Sequence, residues 1–233
     1  MASRDKLVLY TAHRCPWAHR VHIALNELGI PYEEELIDLD KPRTEAYLKI
    51  NPRGLVPSLR FNDEIITESG IVSQFLADAY PSHLIPPSNT VEGALRRARV
   101  AFFVDAFFSK FQAHLQKFVF AKTDADAEAG LEAAVAGLVK EVEPLLADAK
   151  PFFGGAERLT LAEVLTGSFV VRIVSLLKAG VYPAALGKEL ASKAPNFNRW
   201  AQEVARHPSV TSIFDEDFIV KFTKTRIASN RSS

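Results

Sequence analysis

The first eighty residues alternate between short apolar runs and helical patterns. The apolar run Leu7–Tyr10 predicts a buried strand. Apolar residues then recur at helical spacing and predict a helix over 18–28, with Gly29 in the place of a C-terminal cap. The elements predicted after it are a strand over 32–39, a short helix over 42–49, a hairpin of 56–61 with 64–67, and a helix over 69–79. This order favours a small α/β unit.

The second part of the chain carries only helical patterns. Residues 82–90 are rich in Pro, Ser and Asn, which predicts a linker. From Val100 to Phe118, apolar residues recur at intervals of three and four and form one wide helical face. Further helices are predicted over 131–146, 161–177 and 197–204. The predicted fold class is therefore α/β plus all-α, with an α/β domain over 1–81 and an all-helical domain over 91–233.

Composition and charge exclude several classes of protein. The 233 residues hold 28 basic and 28 acidic side chains, so no global field attracts nucleic acid or acidic lipid. No apolar run approaches the roughly 18 residues of a membrane helix, and the N-terminus lacks the pattern of a secretory signal. One cysteine excludes an internal disulfide and a cysteine-based metal cage. We expect a cytoplasmic protein with no nucleic-acid partner, no membrane partner and no metal.

Cys15 is the candidate catalytic residue. It follows the first predicted strand, and Pro16 suits the first position of a helix, because the N–H that proline lacks is unsatisfied there anyway. The sulfur would then lie at the positive end of the helix dipole, with Arg14 adjacent and His13, His19 and Arg20 within reach. Such surroundings favour the thiolate, which is the nucleophilic form. An inert core cysteine is the alternative.

The residue three places after Cys15 is Ala18, so the chain has no second thiol to resolve a mixed disulfide. An external thiol would have to attack the disulfide sulfur instead. Reductive chemistry at Cys15 therefore requires a small-thiol cosubstrate.

Three motifs together resemble the glutathione transferase superfamily. They are Cys-Pro-Trp-Ala at 15–18, Asn-Pro-Arg-Gly-Leu-Val-Pro at 51–57, and Glu-Ser at 68–69, in the order and at the spacing seen in that family. The cysteine form resembles omega-like members, including the fungal omega-like and lambda-like groups. The resemblance implies a thioredoxin-like N-terminal domain, a helical C-terminal domain carrying the acceptor-substrate site, a homodimer, and glutathione as cosubstrate.

The resemblance also implies the residues that bind glutathione. Val56, before a cis Pro57, would pair its backbone with the cysteinyl unit as an added strand does. Glu68 would accept the γ-glutamyl ammonium, and Ser69 would bind its carboxylate at a helix N-terminus. Ser69 is equally a natural N-cap. Lys41 corresponds to the lysine that faces the glycyl carboxylate, although it could be a solvated loop residue.

Several aromatic residues leave two interpretations open. Trp17 could form a wall of the sulfur pocket or simply pack in the fold. Tyr10 could stabilise a glutathione thiolate, as a strand-end tyrosine does in some relatives, but we interpret it as strand packing. The stretch Phe102–Phe120 could line an acceptor pocket or pack between helices. Phe218, in the C-terminal segment, is predicted to pack near the site, with the last six residues loose.

Two further features are predicted to be structural. Thr160 and Glu163 have the spacing of a capping box, and Trp200 is expected in the core. A basic group near the start of the helical domain is predicted to form a solvated face or a subunit contact: Arg96, Arg97 and Arg99.

The function implied is glutathione-dependent thiol transfer or reduction with Cys15 as nucleophile. Glutathionylated proteins, small disulfides and dehydroascorbate are candidate substrates. One alternative is a glutathione S-transferase that conjugates glutathione to electrophiles, with Cys15 as a bystander. The other is a non-enzymatic glutathione-binding carrier or regulatory protein.

Overall fold

A four-stranded mixed sheet organises the N-terminal part of the computed structural model, which describes residues 5–232. The strands are β1 (Leu7–Thr11), β2 (Glu33–Leu36), β3 (Ser58–Phe61) and β4 (Glu64–Thr67), in the order β2-β1-β3-β4. β1 runs parallel to β2 and antiparallel to β3, and β3 and β4 form the predicted hairpin. The helices among them are α1 (Pro16–Leu28), α2 (Glu45–Ile50) and α3 (Ser69–Ala79). This arrangement confirms the thioredoxin-like fold.

Two of the predicted elements are shorter than expected. β2 ends at Leu36, because only four residues pair with β1 at this edge of the sheet, so the apolar residues at 37 and 39 lie in a loop. α2 begins at Glu45, because the side chain of Thr44 accepts a hydrogen bond from the Tyr47 backbone N–H and caps the helix there.

The C-terminal part is helical, as predicted. Its helices are α4 (Val91–Ala106), α5 (Ala113–Phe120), α6 (Asp124–Gly137), α7 (Leu161–Lys178), α8 (Ala184–Lys193), α9 (Pro195–Arg206), α10 (Pro208–Thr211) and α11 (Glu216–Arg231). The predicted helix over 131–146 is wrong as one regular element: α6 passes into a π-helical segment, Leu138–Val142, and then a 3₁₀ turn. The last six residues, which were expected to be loose, are instead helical up to Arg231, where α11 ends, and Ser233 lies outside the described residues.

A second π-helical segment, Phe107–Gln112, joins α4 to α5 and contacts the one after α6. At Gly137, a Cβ atom would lie 1.9 Å from the Lys110 carbonyl oxygen. Only glycine therefore allows the two backbones to approach this closely. The contact holds Phe107–Gln112 against the rest of the helical domain, and this segment carries an aromatic side chain of the candidate site.

α7 is the central helix of the C-terminal part, and most of its residues are buried. The predicted capping box is confirmed: Thr160 and Glu163 exchange hydrogen bonds at the start of α7. The Trp200 indole, confirmed in the core, donates to the same Glu163 carboxylate over 2.7 Å. α7 also packs against α1 and α3, so the sheet domain and the helical domain share one core. No helix within 5–232 has the length and apolarity to cross a membrane.

Candidate functional site

Cys15 lies at the N-terminus of α1, as its sequence context predicts. It occupies the N-cap position in an extended conformation, and Pro16 is the first helical residue. Its backbone N–H donates to the Ala12 carbonyl over 2.9 Å, which closes a tight turn after β1. The residue is only partly buried, and its Sγ lies 3.9 Å from the Val56 carbonyl oxygen. The sulfur is thus accessible and faces the loop before β3.

A cleft of about 680 Å³ opens beside this sulfur. Its walls come from the turn before α1, the loops around α2 and the start of α3. Its lining contains the predicted site residues Cys15, Trp17, Val56, Pro57, Glu68 and Ser69. Residues that are 54 positions apart in the chain therefore meet at one cleft, which is large enough for a small peptide.

The backbone at the cleft is unusual at two predicted positions. The Val56–Pro57 peptide bond is cis, as the resemblance implies. Glu68 has φ of +69°, a region that non-glycine residues rarely adopt and that concentrates at functional sites. The expected N-cap role of Ser69 is wrong: α3 begins at Ser69 itself, after Glu68. The Ser69 hydroxyl instead accepts a hydrogen bond from Arg20 over 3.2 Å.

Lys41 does not line this cleft. Its side chain is 79% exposed, and its ammonium lies 3.3 Å from a carboxylate oxygen of Asp38. Arg43, two residues further, does line the cleft, and its guanidinium donates to the carbonyls of Asp38, Lys41 and Gly54. The sequence offered no signal that would place Arg43 rather than Lys41 at the cleft.

An aromatic cluster stands next to Cys15. The Trp17 ring lies 5.3 Å from the ring of Phe108 and 4.8 Å from that of Phe169, centroid to centroid. Phe108 belongs to the π-helical segment, so the aromatic stretch 102–120 contributes a ring to the cluster. The guanidinium of Arg20 stacks on the Trp17 and Phe108 rings at 4.5 and 4.4 Å. Trp17 therefore packs in the fold and also lines the cleft.

Two buried arginines lie around the turn that carries Cys15. Arg172, on α7, donates to the Arg14 carbonyl over 3.2 Å and to the Ser168 carbonyl over 2.6 Å. Arg20 is buried under the aromatic rings. Burial lowers the pKa of Arg20 to about 9 and that of Arg172 to about 10, so both remain charged at neutral pH. Within residues 5–232 neither guanidinium contacts a carboxylate.

Two histidines that were expected to add positive charge near Cys15, His13 and His19, do not do so in the same way. His19 is fully buried, and burial together with the Arg172 charge lowers its pKa well below the usual value, so it is neutral. The expectation of a cationic His19 is therefore wrong. His13 faces away toward Glu34, with Nε2 2.5 Å from Oε1. Arg172 supplies charge near this turn from 157 residues away in sequence, a contact with no local signal.

Tyr10 and Phe218 lie away from the cleft. The Tyr10 ring is buried in β1 against Tyr47, at a centroid distance of 5.7 Å, which fits the strand-packing interpretation. Phe218, on α11, is partly exposed and stacks on Phe222. Phe218 lines a separate pocket with His13 and Arg14, the residues just before Cys15.

The chain is similar to known proteins along nearly its whole length. The family model described as "Glutathione S-transferase, N-terminal domain" matches residues 9–87. The probable glutathione S-transferase GSTU1 of Oryza sativa subsp. japonica is 30% identical over 217 residues, 90% of each chain. The glutathione S-transferase omega-1 of Sus scrofa is 26% identical over 209 residues, 89% of this chain and 80% of that protein. The crystal structure of rice GST1 in complex with glutathione matches with a TM-score of 0.82 and 25% identity, covering 98% of this chain and 99% of that one.

Proposed function

Because the chain belongs to the glutathione transferase superfamily, we propose that it is an omega-like enzyme that transfers glutathionyl groups through Cys15. The observation that carries the proposal is the place of the one thiol of the chain, which is partly buried and lines the same cleft as Val56, Glu68 and Ser69. Glutathione is the cosubstrate of this family, and the cleft offers backbone, hydroxyl and carboxylate groups for a charged peptide. The chemistry at Cys15 decides which reaction follows.

The proposed reaction has two thiol–disulfide exchanges. The Cys15 thiolate attacks the glutathionyl sulfur of a substrate R–S–SG, forms the mixed disulfide Cys15–S–SG, and releases R–S⁻, which takes a proton. The thiolate of a free glutathione then attacks the Cys15-bound glutathionyl sulfur, which releases oxidised glutathione and restores the Cys15 thiolate. The sum converts R–S–SG and reduced glutathione into R–SH and oxidised glutathione.

The charges around Cys15 support this role. The N-terminus of α1 presents unpaired N–H groups and the positive end of the helix dipole to the sulfur. Arg20 and Arg172 add two buried positive charges that have no carboxylate partner within the described residues 5–232. An unpaired buried charge costs several kcal/mol. A thiolate at Cys15, which interacts electrostatically with both arginines, would offset part of this cost.

The glutathione-binding residues of the proposal follow the lining of the cleft. Val56 would pair its backbone with the cysteinyl unit, beside the cis Pro57, while Glu68 and Ser69 would bind the γ-glutamyl end. Lys41 remains in the proposal through the resemblance alone, since its ammonium pairs with Asp38 outside the cleft. Arg43 lines the cleft and is the rival cation for the glycyl carboxylate.

The test of Cys15 is intact-mass analysis after exposure to oxidised glutathione. We expect the wild type to gain one glutathionyl group and Cys15→Ser to gain none, because the chain has no other thiol. Reduction of a glutathionylated peptide should fall to background in Cys15→Ser, with glutathione binding retained. No adduct on the wild type would contradict the proposal.

The aromatic surface of Trp17 and Phe108 gives the conjugating alternative its support, because it could hold an apolar electrophile beside the sulfur of glutathione. Conjugation of chlorodinitrobenzene that persists or rises in Cys15→Ser would favour that alternative. Glutathione binding without turnover in either assay would favour the carrier.

We also propose a homodimer, as the resemblance implies. Exposed apolar side chains follow one face of α4, at Val91, Leu95 and Phe102, where water would otherwise contact them. A second copy of the chain covering this stripe would bury them.

A further inference from the structure

Three metal-ligating side chains converge on the edge of the sheet behind the Cys15 turn. His13 lies in the loop after β1, His22 on α1, and Glu34 on β2. One potential ligand atom from each lies within 4.8 Å of the other two. Packing brings them together, since they are held by three different elements. None belongs to the cleft lined by Cys15.

His22 is oriented for coordination. Its side chain is fully buried, and its Nε2 lies 2.9 Å from the Thr11 hydroxyl oxygen. An uncharged imidazole carries one N–H and one lone pair. When Nε2–H donates to Thr11, the lone pair lies on Nδ1, where it accepts a hydrogen bond from the Tyr32 hydroxyl over 2.9 Å and lies 4.0 Å from Glu34 Oε2. A bound cation would displace this hydrogen bond. A hydrogen bond on the outer nitrogen, such as the one from Nε2 to Thr11, is the usual support of a metal-bound histidine.

Glu34 lies between the two imidazoles. Its Oε1 is 2.5 Å from His13 Nε2, and its Oε2 is 4.0 Å from His22 Nδ1. Ligand atoms around a tetrahedral Zn²⁺ at 2.0–2.1 Å stand about 3.4 Å apart, a value between these two distances. Small side-chain rotations at the exposed His13 and the partly exposed Glu34 would therefore suffice. The Tyr32 hydroxyl, 2.9 Å from His22 Nδ1, or a water would complete the shell.

We propose that His13, His22 and Glu34 bind a divalent transition-metal cation of the Zn²⁺ type. Two imidazoles and one carboxylate suit Zn²⁺ or Co²⁺, whereas Mg²⁺ and Ca²⁺ prefer oxygen ligands. A cation here ties β2 to the loop two residues before Cys15. A single cysteine excludes a cysteine-based metal cage but not a site of histidine and carboxylate ligands that only the fold brings together.

The test is titration of the full-length, tag-free protein with Co²⁺ and Zn²⁺. Co²⁺ absorption in the visible range reports the ligand field, and calorimetry with Zn²⁺ gives the stoichiometry. We expect one cation per chain, with affinity reduced at least about tenfold in His13→Ala and in Glu34→Gln. Both positions are solvent-accessible, so these variants should fold, which circular dichroism checks.

Three matched variants separate this site from others. Glu33→Gln changes the neighbouring exposed carboxylate on β2, and His83→Ala removes a histidine that pairs with Glu27 elsewhere. Cys15→Ser removes the thiolate, itself a good zinc ligand. We expect all three to bind as the wild type does. The proposal fails if no cation binds at about 100 µM, if binding survives both His13→Ala and Glu34→Gln, or if it is lost in Cys15→Ser or His83→Ala.

Discussion

At the scale of single residues, Arg172 is the least expected neighbour of Cys15. Its guanidinium is buried beneath Phe214 and donates to the carbonyl of Arg14, the residue before Cys15. Among residues 5–232 it contacts neither the cleft lining nor a carboxylate, so under the proposed function its role would be to position the turn and to stabilise an anion at Cys15. Stability alone would not explain an unpaired buried charge at this place.

We predict that Arg172→Met slows the alkylation of Cys15 by iodoacetamide at neutral pH by roughly three- to tenfold. The substitution removes a positive charge that interacts with an anion at the Cys15 sulfur, so the reactive form is less stabilised. Arg172→Lys should keep the rate and its pH profile near those of the wild type. Lys178→Met, which removes an exposed cation from the same helix, is the matched control. A rate unchanged in Arg172→Met would restrict Arg172 to packing.

At the scale of elements, the start of α7 depends on one buried carboxylate. Glu163 accepts hydrogen bonds from the Thr160 N–H and hydroxyl, from the Phe153 N–H and from the Trp200 indole, at 2.7–2.8 Å. The capping box therefore does more than begin a helix, because it also joins α7 to α9 and to the turn before α7. A carboxylate can satisfy all these donors because both of its oxygens only accept.

We predict that Glu163→Gln lowers the free energy of unfolding by about 2–4 kcal/mol, measured by chemical denaturation. The glutamine amide would place its own N–H donors against the buried N–H and O–H donors that now bond to the carboxylate, so some of these groups would lose their acceptor. Thr160→Ala, which removes one capping hydroxyl, should cost about 1 kcal/mol, and the surface change Glu157→Gln almost nothing. If Glu163→Gln lowered the free energy of unfolding by less than about 1 kcal/mol, the idea that this carboxylate joins α7, α9 and the preceding turn would be contradicted.

At the scale of the whole molecule, the dimer proposal rests on the apolar stripe of α4. Val91, Leu95 and Phe102 are 80%, 59% and 58% exposed, and they lie on one side of the helix. We predict that the wild type elutes as a dimer in size-exclusion chromatography with light scattering. Leu95→Glu should shift it to a monomer, because a charge would be desolvated at the interface. Leu48→Glu, at an exposed apolar position on α2, should leave the dimer intact, and a wild-type monomer would refute the proposal.

Elements with a local cause were predictable from the sequence. Three features depend on residues only a few positions apart, so their spacing in the sequence is enough to predict them: the helix start at Cys15 and Pro16 after β1, the Gly29 cap and the Thr160 capping box. The irregular ends were not predictable in this way. β2 ends where its pairing with β1 ends, and the π-helical segments meet where Gly137 lets two backbones approach.

The order of residues thus determined by itself the two-part architecture, the place of Cys15 at a helix start and the absence of a second thiol. Only the tertiary structure decided which charges surround Cys15 and which histidines face one another. Arg172 reaches the Cys15 turn from a helix of the other domain, and His22 meets Glu34 only because β2 packs beside β1. The physical reason is the separation in sequence over which each interaction acts. Caps and turns join residues within one or two helical turns of each other, whereas electrostatic contacts and metal ligation depend on distances in space that packing alone sets.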